Sequence, residues 1–340
     1  MNRHMNETPL RIGIIGLGVG QKHIAGFELD PRCQVTMLCD INEERLAKVA
    51  AHYPRCNITH LPDVVLEHPE IDIVSIASWD NAHAEQVLKA ISAGKHIFVE
   101  KPLCCCDEEF TAITEALSAH PELLLSSNLI LRKYPRFARL KTLIDKGTMG
   151  SVYYLEADYN YGRMEKIHQG WRGSQPNYSV IHGGGIHVVD LVLWLTNSLP
   201  VEVTAIGSRK ASLNTTFSSN DTVVALLRFH DGTIAKISIN FPCTYPHFHD
   251  VVVFGTLATW RNARDSALLY RSKDPEVIPE RFDDPYPGSL KSDLIPSFVK
   301  AILDGKKAEV QREDVLNAMS VSLAIERAVA TGTPQPIDYH

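Results

Sequence analysis

A glycine-rich segment near the start of the chain, GIIGLGVG, is the first place where residue types and spacing point to chemistry. It follows a short apolar run and precedes a segment of helical character. Its glycines permit a tight turn and let the backbone approach a pyrophosphate at the start of a helix. The spacing departs from GxGxxG, because Gln21 stands at the third glycine position and a glycine comes one residue early. A glycine-rich turn without a ligand is the alternative. We assign the phosphate turn to Gly16, Gly18, Val19 and Gly20.

An acidic residue follows the next predicted strand. Asp40 lies near the point, about 20 residues beyond the glycines, where dinucleotide-binding folds hold the adenosine ribose. A carboxylate there accepts hydrogen bonds from the ribose hydroxyls and repels a 2′-phosphate. Ile41 and Asn42 bring no cation that would hold such a phosphate, so the segment favours NAD over NADP. An ordinary aspartate at the end of a strand is the alternative.

Glu100-Lys101-Pro102 comes directly after another predicted strand. Ligands of open α/β sheets bind at the carboxyl ends of the strands, so this position places Lys101 at a cofactor cleft. A solvated loop charge is the alternative for the lysine.

Three consecutive glycines, residues 183–185, separate His182 from His187. The helix predicted after them is so apolar that it must be largely buried. Glycines in a row let another group approach the backbone, which favours a substrate site that includes Gly184 and the histidines. A histidine satisfied inside the core is the alternative for His187.

Two clusters resemble metal sites but lack the required spacing. Adjacent side chains at Cys104-Cys105-Cys106 cannot all face one ion without strain, so we predict small apolar filler there. No cysteine or carboxylate set at a recognised metal-ligand spacing accompanies His247-Phe248-His249. We predict no metal.

The elements that position these residues differ between the two parts of the chain. Before residue 128, apolar runs alternate with helical patterns, which is typical of a doubly wound parallel sheet. After it, a helix beginning near Pro135 is followed by strand patterns that predict an antiparallel sheet, with a hairpin signal at Asp231-Gly232. Two helices end the chain. The predicted strands cover residues 10–15, 34–39, 71–77, 96–99, 123–126, 151–159, 201–208, 222–229, 233–241, 251–255 and 267–271.

Composition limits the possible partners. The 340 residues include 34 Lys plus Arg and 40 Asp plus Glu, and the net charge of −6 has the wrong sign for binding nucleic acid. No apolar run reaches the ~18 residues that cross a bilayer, and the opening MNRHMNETPL lacks the apolar core of a signal peptide. Seven cysteines without a secretion signal predict free thiols in a reducing compartment. We therefore expect a cytoplasmic protein that binds neither nucleic acid nor membrane.

Taken together, these motifs resemble the Gfo/Idh/MocA family, which includes glucose-fructose oxidoreductase and inositol dehydrogenase. The resemblance covers nearly the whole chain. The segments that carry it are Gly16 with Gly18, Asp40, the loop Ser78–His83, AGKH at 93–96, EKP at 100–102, and residues 132–135, 146–150 and 183–190.

The resemblance implies a fold, a cofactor and a substrate class. We expect an α/β protein with an N-terminal Rossmann domain over residues 1–127, a doubly wound parallel sheet that binds NAD. Residues 128–340 are expected to form an α/β domain for substrate binding and oligomerisation, with a large, mostly antiparallel, open-faced sheet. Because that face needs covering, we expect a homodimer or homotetramer. The implied activity is hydride transfer between nicotinamide and a secondary alcohol or ketone of a sugar, a cyclitol or a sugar derivative.

The resemblance also implies roles for individual residues. Lys101 matches the lysine that contacts the reacting hydroxyl, and His187 matches the histidine that acts as acid/base. His83 matches a loop histidine near the nicotinamide, and we assign Ser78 and Glu100 to the same cofactor-binding set. Substrate contacts are expected from His182, Gly184, Trp171, Arg172 and Arg132, with Trp171 offering a stacking surface and the arginines hydrogen-bond donors.

One departure from the family pattern affects the expected chemistry. The family commonly has an aspartate four residues before the catalytic histidine, and here that position is Gly183. The departure leaves two alternatives to a sugar or cyclitol dehydrogenase: a non-catalytic NAD-binding regulator of the same fold, and an NAD-dependent enzyme that cleaves glycosides through transient oxidation.

Overall fold

The elements of the chain alternate between strands and helices at first and become strand-rich later. The computed structural model describes residues 9–175 and 178–339. In this part of the chain, the strands β1 to β15 span Leu10–Ile15, Cys33–Cys39, Asn57–Thr59, Ile73–Ile76, His96–Val99, Leu125–Ser127, Val152–Asn160, Pro200–Ser208, Thr222–Phe229, Ile234–Asn240, Phe248–Gly255, Thr259–Asn262, Ala267–Tyr270, Glu280–Phe282 and Gln335–Pro336. The helices α1 to α10 span Gln21–Phe27, Glu43–Ala50, Pro62–Leu66, His83–Ser92, Asp107–Ala119, Pro135–Asp145, Glu165–His168, Ile186–Thr196, Ile295–Asp304 and Arg312–Thr331.

The described chain divides into two compact units. Unit 1 comprises the residues up to Ile130 together with Leu290–Leu316, and unit 2 comprises Leu131–Ser289 and the residues from Asn317. The expected division at residues 127 and 128 differs from this one chiefly in Leu290–Leu316, which we had expected in the second domain.

Packing in unit 1 explains why the later segment belongs there. A Cβ at Gly26 on α1 would lie 2.9 Å from the Cβ of Ile295 on α9, so the two helices are in close contact. The ring of Phe298 on α9 lies 5.8 Å from that of Phe98 on β5. A segment distant in sequence therefore completes the core of unit 1.

The sheet of unit 1 is wholly parallel. Among the described residues it has six strands in the order β3-β2-β1-β4-β5-β6. This order is that of a doubly wound dinucleotide-binding sheet, and it confirms the predicted fold class. Strand β4 is buried at every residue, as expected for a parallel strand covered on both faces.

The sheet of unit 2 is mostly antiparallel, as predicted. Its described strands run in the order β14-β13-β12-β11-β7-β10-β9-β8-β15, and the β7–β10 pair is parallel. Helix α8 packs against β7 and β10. Strands β8 and β9 alternate buried with outward-facing residues, and the outward ones include Ile206, Val224 and Leu226.

The described helices include none that is both long and apolar enough to cross a bilayer. The expectation about a signal peptide concerns the opening of the chain, and residues 1–8 lie outside the described residues.

A buried ion pair anchors α8 within unit 2. Arg132 lies in a short 3₁₀ turn, Ile130–Lys133, and Asp190 lies on α8. The guanidinium donates from Nε to Oδ2 of Asp190 at 3.0 Å and from Nη2 to Oδ1 at 2.6 Å. It also lies 5.9 Å from the ring of Trp194 one turn further along α8. Both partners are buried, so each charge depends on the other.

We predict that Asp190→Asn destabilises the protein by about 3–5 kcal/mol, because it removes the carboxylate that two N–H groups of the buried Arg132 bind. The double variant Arg132→Met/Asp190→Leu removes both charges and is expected to recover most of that loss. Thermal unfolding of the purified variants measures both effects. Glu202→Gln, which breaks the exposed pair with Arg228, is the control and should leave stability nearly unchanged. An Asp190→Asn variant as stable as its parent would contradict the anchoring role.

Candidate functional site

Residues at the carboxyl ends of several strands of unit 1 meet along one edge of its sheet. Parallel strands end on the same side, so residues that follow them gather there regardless of their separation in sequence. The residues that directly follow or lie one position beyond β1, β2, β4, β5 and β6 are Gly16, Asp40, Ser78, Glu100 and Asn128. All but Asn128 were predicted as cofactor-binding residues.

The glycine turn owes its shape to close backbone contacts. Gly16 has a φ of 83°, and a Cβ there would collide with the carbonyl oxygen of Ala77, so β1 and β4 approach each other where they end. Gly20 caps α1, and a Cβ there would collide with the carbonyl oxygen of Gly16. Gly20 thus fulfils the helix-packing role of the third glycine of GxGxxG one residue early.

The outer part of the same turn is open. A Cβ at Gly18 would meet no atom within 4 Å, and Val19 is 37% exposed. The turn therefore leaves space over its backbone where a pyrophosphate fits, and the residues present are compatible with NAD.

Asp40 is buried and fixes the glycine turn to the end of β2. Its Oδ2 accepts a hydrogen bond from the backbone N–H of Leu17 at 2.8 Å, and Oδ1 accepts one from Asn42 at 2.8 Å. Nη1 of Arg45 lies 3.3 Å from Oδ2. The predicted absence of a cation considered only the two residues after Asp40 and missed Arg45, which lies in the first turn of α2.

Glu100 lies at the centre of a buried hydrogen-bond network. Its Oε1 accepts a hydrogen bond from the Asn128 amide at 2.7 Å and lies 3.2 Å from Nε2 of His23, whose Nδ1 is 2.9 Å from the Ser75 hydroxyl. Burial alone would raise the pKa of Glu100. The hydrogen bond with His23 and the charges of Lys291, His23 and Lys101 outweigh it and hold that pKa well below its usual range. Glu100 is therefore an ionised group that positions this edge.

His83 is fully buried and joins two loops. Its Nδ1 lies 2.6 Å from the carbonyl oxygen of Pro102, and Nε2 lies 3.3 Å from that of Ser78. The Ser78 hydroxyl donates to Oε1 of Gln86 at 2.7 Å. These contacts connect the loop after β4 to the residue beside Lys101, which is half-buried after β5. A contact between His83 and the nicotinamide stays a prediction; the observed bonds give His83 a positioning role.

In unit 2, His187 lies in the first turn of α8 and is 6% exposed. Its ring stacks against that of Tyr159 on β7, with 6.4 Å between centroids and 24° between planes. The rings of His247 and His249 lie 5.4 and 5.0 Å from the same tyrosine. The predicted base therefore stacks on a tyrosine that two further imidazole rings contact.

The glycines before His187 allow side chains of the protein itself to approach the backbone. They belong to a π-helical turn, Ile181–Gly185, that leads into α8. A Cβ at Gly184 would lie 2.7 Å from the Tyr159 ring and 2.9 Å from the Phe241 ring. Substrate contact at Gly184 stays a prediction, and the groups that the structure places against it are these rings.

His182 is buried in the same π-helical turn. Burial lowers the pKa of its imidazole to about 4, so the ring is neutral at pH 7. Within the described chain, its Nε2 has no hydrogen-bond partner. A neutral, buried imidazole suits a hydrogen bond to a substrate hydroxyl better than it suits a fixed positive charge.

The other predicted substrate residues are engaged in different ways. Trp171 and Arg172 lie in a 3₁₀ turn, half-buried, with the guanidinium carbon 4.5 Å from the indole centroid. Arg132 is bound to Asp190, so the geometry supports an anchoring role for it. Substrate contacts by these three residues stay predictions.

Sequence reasoning missed His23, Asn128 and Tyr159. Asn128 directly follows β6, so the same rule that located Glu100 would have located it. His23 and Tyr159 act through residues distant in sequence, and no local spacing indicates that.

The clusters that resemble metal sites have other surroundings. Among the described residues, no group of three or more His, Cys, Asp or Glu side chains is arranged to hold a metal ion. His249 Nδ1 lies 2.5 Å from the Tyr286 hydroxyl. All seven cysteines are free, and burial raises the pKa of each thiol, to about 11 for Cys33 and about 12 for Cys39 and Cys105.

We predict that Glu100→Gln lowers the stability of the protein by about 1.5–3 kcal/mol at pH 7, because hydrogen bonds to a charged acceptor are lost. The depressed pKa of Glu100 means that its stabilisation is present above the unfolded value of about 4.3 and is lost as the pH falls below it. The gap between parent and variant should therefore shrink on acidification. Unfolding measured at pH 7 and pH 3.5, with the exposed Glu67→Gln as control, tests this; a gap independent of pH would refute it.

Two family models match the chain. Residues 10–127 match a model described as "Oxidoreductase family, NAD-binding Rossmann fold", and residues 137–261 match one described as "GFO/IDH/MocA C-terminal domain". The matched segments correspond to the parallel sheet and to much of the large sheet.

Individual relatives align over nearly the full length. The oxidoreductase YrbE of Bacillus subtilis is 27% identical, with 96% of each chain covered. Inositol 2-dehydrogenase 2 of Saccharopolyspora erythraea is 25% identical, covering 97% of this chain and 96% of its own. A solved structure of levoglucosan dehydrogenase, in complex with NADH and levoglucosan, superposes with a TM-score of 0.84 at 20% identity, covering 97% of this chain and 100% of its own. The expected family, NAD cofactor and oxidoreductase class are confirmed, and the chain belongs to the Gfo/Idh/MocA family of NAD-binding oxidoreductases.

Proposed function

We propose that the protein is an NAD-dependent dehydrogenase that oxidises a secondary alcohol of a cyclitol or sugar, and reduces the matching ketone in reverse. The observation that carries the proposal is the conformation of the glycine turn. The Asp40 carboxylate holds the turn through the Leu17 N–H, and a Cβ at Gly18 would meet no other part of the described chain within 4 Å. A relative named for inositol and a structural neighbour named for levoglucosan support a polyhydroxylated ring as substrate.

NAD would supply a hydride acceptor at its nicotinamide ring. Gly16, Gly18, Val19 and Gly20 would hold its pyrophosphate, and Asp40 would accept hydrogen bonds from the ribose with the lone pairs that Leu17 and Asn42 leave. The Glu100 network and His83 would keep the adjoining loops in place.

The alcohol must lose a proton from oxygen when its carbon loses a hydride. His187, which stacks on Tyr159, would accept that proton when its imidazole is neutral. Lys101 would stabilise the negative charge that develops on the oxygen. His182 would hold a neighbouring hydroxyl of the substrate.

A screen of substrates tests the proposal. Myo-inositol, scyllo-inositol, levoglucosan, free sugars and nucleotide sugars are incubated with the protein and NAD, and NADH formation is followed by absorbance. Reduction of NAD by a cyclitol or sugar supports the proposal. Release of an aglycone from glycosides without net NADH would indicate the glycoside-cleaving alternative. NAD binding without turnover of any of these compounds would indicate a regulator.

We predict that the protein binds NAD at least about tenfold more tightly than NADP, equivalent to about 1.4 kcal/mol, because Asp40 repels a 2′-phosphate. Asp40→Ala should narrow this preference by releasing Arg45 to bind the phosphate. Asp40→Ala/Arg45→Ala should then lose the gained NADP affinity. Calorimetric titration of both cofactors measures each affinity, and a parent protein that prefers NADP would overturn the role of Asp40.

We predict that His187→Asn lowers kcat by about 10²–10⁴-fold and that Lys101→Ala lowers it by about 10²–10³-fold, with NAD affinity nearly unchanged. Both residues act on charge that appears during the reaction, so binding of the oxidised cofactor does not need them. The controls are His230→Asn and Lys22→Ala, which alter exposed residues. Near-normal turnover by His187→Asn would place the base elsewhere.

We also propose a cytoplasmic homodimer or homotetramer in which a second copy covers the outward face of the large sheet. Ile206, Val224 and Leu226 are 76%, 42% and 49% exposed on that face. A contiguous apolar face of this kind is costly to leave in water. Light scattering of the purified chain distinguishes one, two and four copies.

A further inference from the structure

The hydroxyl of Tyr178 occupies the position of a missing side chain. Tyr178 precedes the π-helical turn and is 7% exposed. A Cβ at Gly183 would overlap the Tyr178 hydroxyl oxygen, so that oxygen fills the space that any side chain at 183 would enter. While Tyr178 keeps this position, glycine is the residue that fits at 183.

The Tyr178 hydroxyl oxygen lies next to the turn toward which the Cα–Cβ bond of His187 points. Gly183 is four residues before His187, and Cα–Cβ bonds in a helix tilt toward its N-terminus, so the His187 side chain leaves the backbone in the direction of the turn that contains Gly183. Tyr159 stacks on the His187 ring. A Cβ at the adjacent Gly184 would lie 2.7 Å from the Tyr159 ring, so the Tyr178 hydroxyl and the Tyr159 ring approach neighbouring residues of the same turn.

We propose that Tyr178 is a positioning residue that hydrogen-bonds to His187 and replaces a carboxylate at position 183. The proposal rests on the proposed function of His187 as the base. A phenol both donates and accepts, so it holds the imidazole in one orientation in either protonation state. With a pKa near 10 in water, and higher when buried, it adds no negative charge at neutral pH.

The exchange has a definite electrostatic consequence. A carboxylate beside an imidazole stabilises the imidazolium and raises its pKa, whereas a neutral hydroxyl does so much less. Tyr178 with Gly183 therefore orients the base and leaves it deprotonated at lower pH than a carboxylate would.

The first test needs no substrate. NMR titration of ¹³C-histidine-labelled protein with NADH bound gives the pKa of His187, assigned by the resonance that His187→Asn lacks. Tyr178→Phe removes one oxygen and keeps the ring, and we expect it to shift the His187 midpoint by about 0.5 unit or more. Tyr178→Ala/Gly183→Asp makes room for a carboxylate and should raise the midpoint by about 1 unit or more. The control is Tyr339→Phe, which loses a phenol hydrogen bond to Pro200 elsewhere in unit 2 and should leave His187 unchanged.

The second test uses the pH profile of kcat/KM with the alcohol found in the screen. Tyr178→Phe should lower kcat at least about tenfold with the KM for NAD unchanged. Tyr178→Ala/Gly183→Asp should be more active than Tyr178→Ala. In its pH profile, kcat/KM should begin to fall on acidification at a higher pH than it does in the parent.

The two proposals fail in distinguishable ways. A His187 midpoint that does not move in Tyr178→Phe overturns the inference, even if the parent oxidises a cyclitol. A parent without turnover would count against the proposed function, while the NMR titration would still decide whether Tyr178 interacts with His187.

Discussion

The end of β1 contacts the end of β4 at Gly16. The other residues at the carboxyl ends of the parallel strands, where the cofactor is proposed to bind, depend on that contact. A Cβ at this residue would collide with the Ala77 carbonyl, so the strands would have to separate where they are closest. The turn after Gly16 brings the Leu17 N–H to the Asp40 carboxylate and the Gly20 backbone against Gly16 itself. Separation of the two strands at Gly16 would therefore displace both the glycine turn proposed to hold the pyrophosphate and the Asp40 carboxylate proposed to bind the ribose.

Much of this edge was predictable because the carboxyl ends of parallel strands coincide. Apolar runs located β1 and β5 at their observed limits, and the residues after those strands followed from the rule. Strands β3, β12, β14 and β15 were missed, since each is only two to four residues long.

Contacts between distant residues were beyond sequence reasoning. The burial of His83 between two carbonyl groups and the bonding of Arg132 to Asp190 depend on how loops and helices pack, and no local spacing encodes that. The three glycines before His187 indicate that another group lies close to the backbone. The approaching groups, however, are Tyr178 and Tyr159 of the chain itself, which only the folded structure shows.

The raised pKa of every cysteine thiol lowers the reactivity of the cysteines at neutral pH. The thiolate is the form of cysteine that attacks peroxides, disulfides and alkylating agents, and burial favours the protonated thiol at all seven positions at neutral pH. Even Cys105, whose residue is exposed, has a pKa raised to about 12 by burial of its sulfur and by nearby carboxylates. All seven cysteines, three of them adjacent in the sequence, therefore present less thiolate at neutral pH than a free cysteine does.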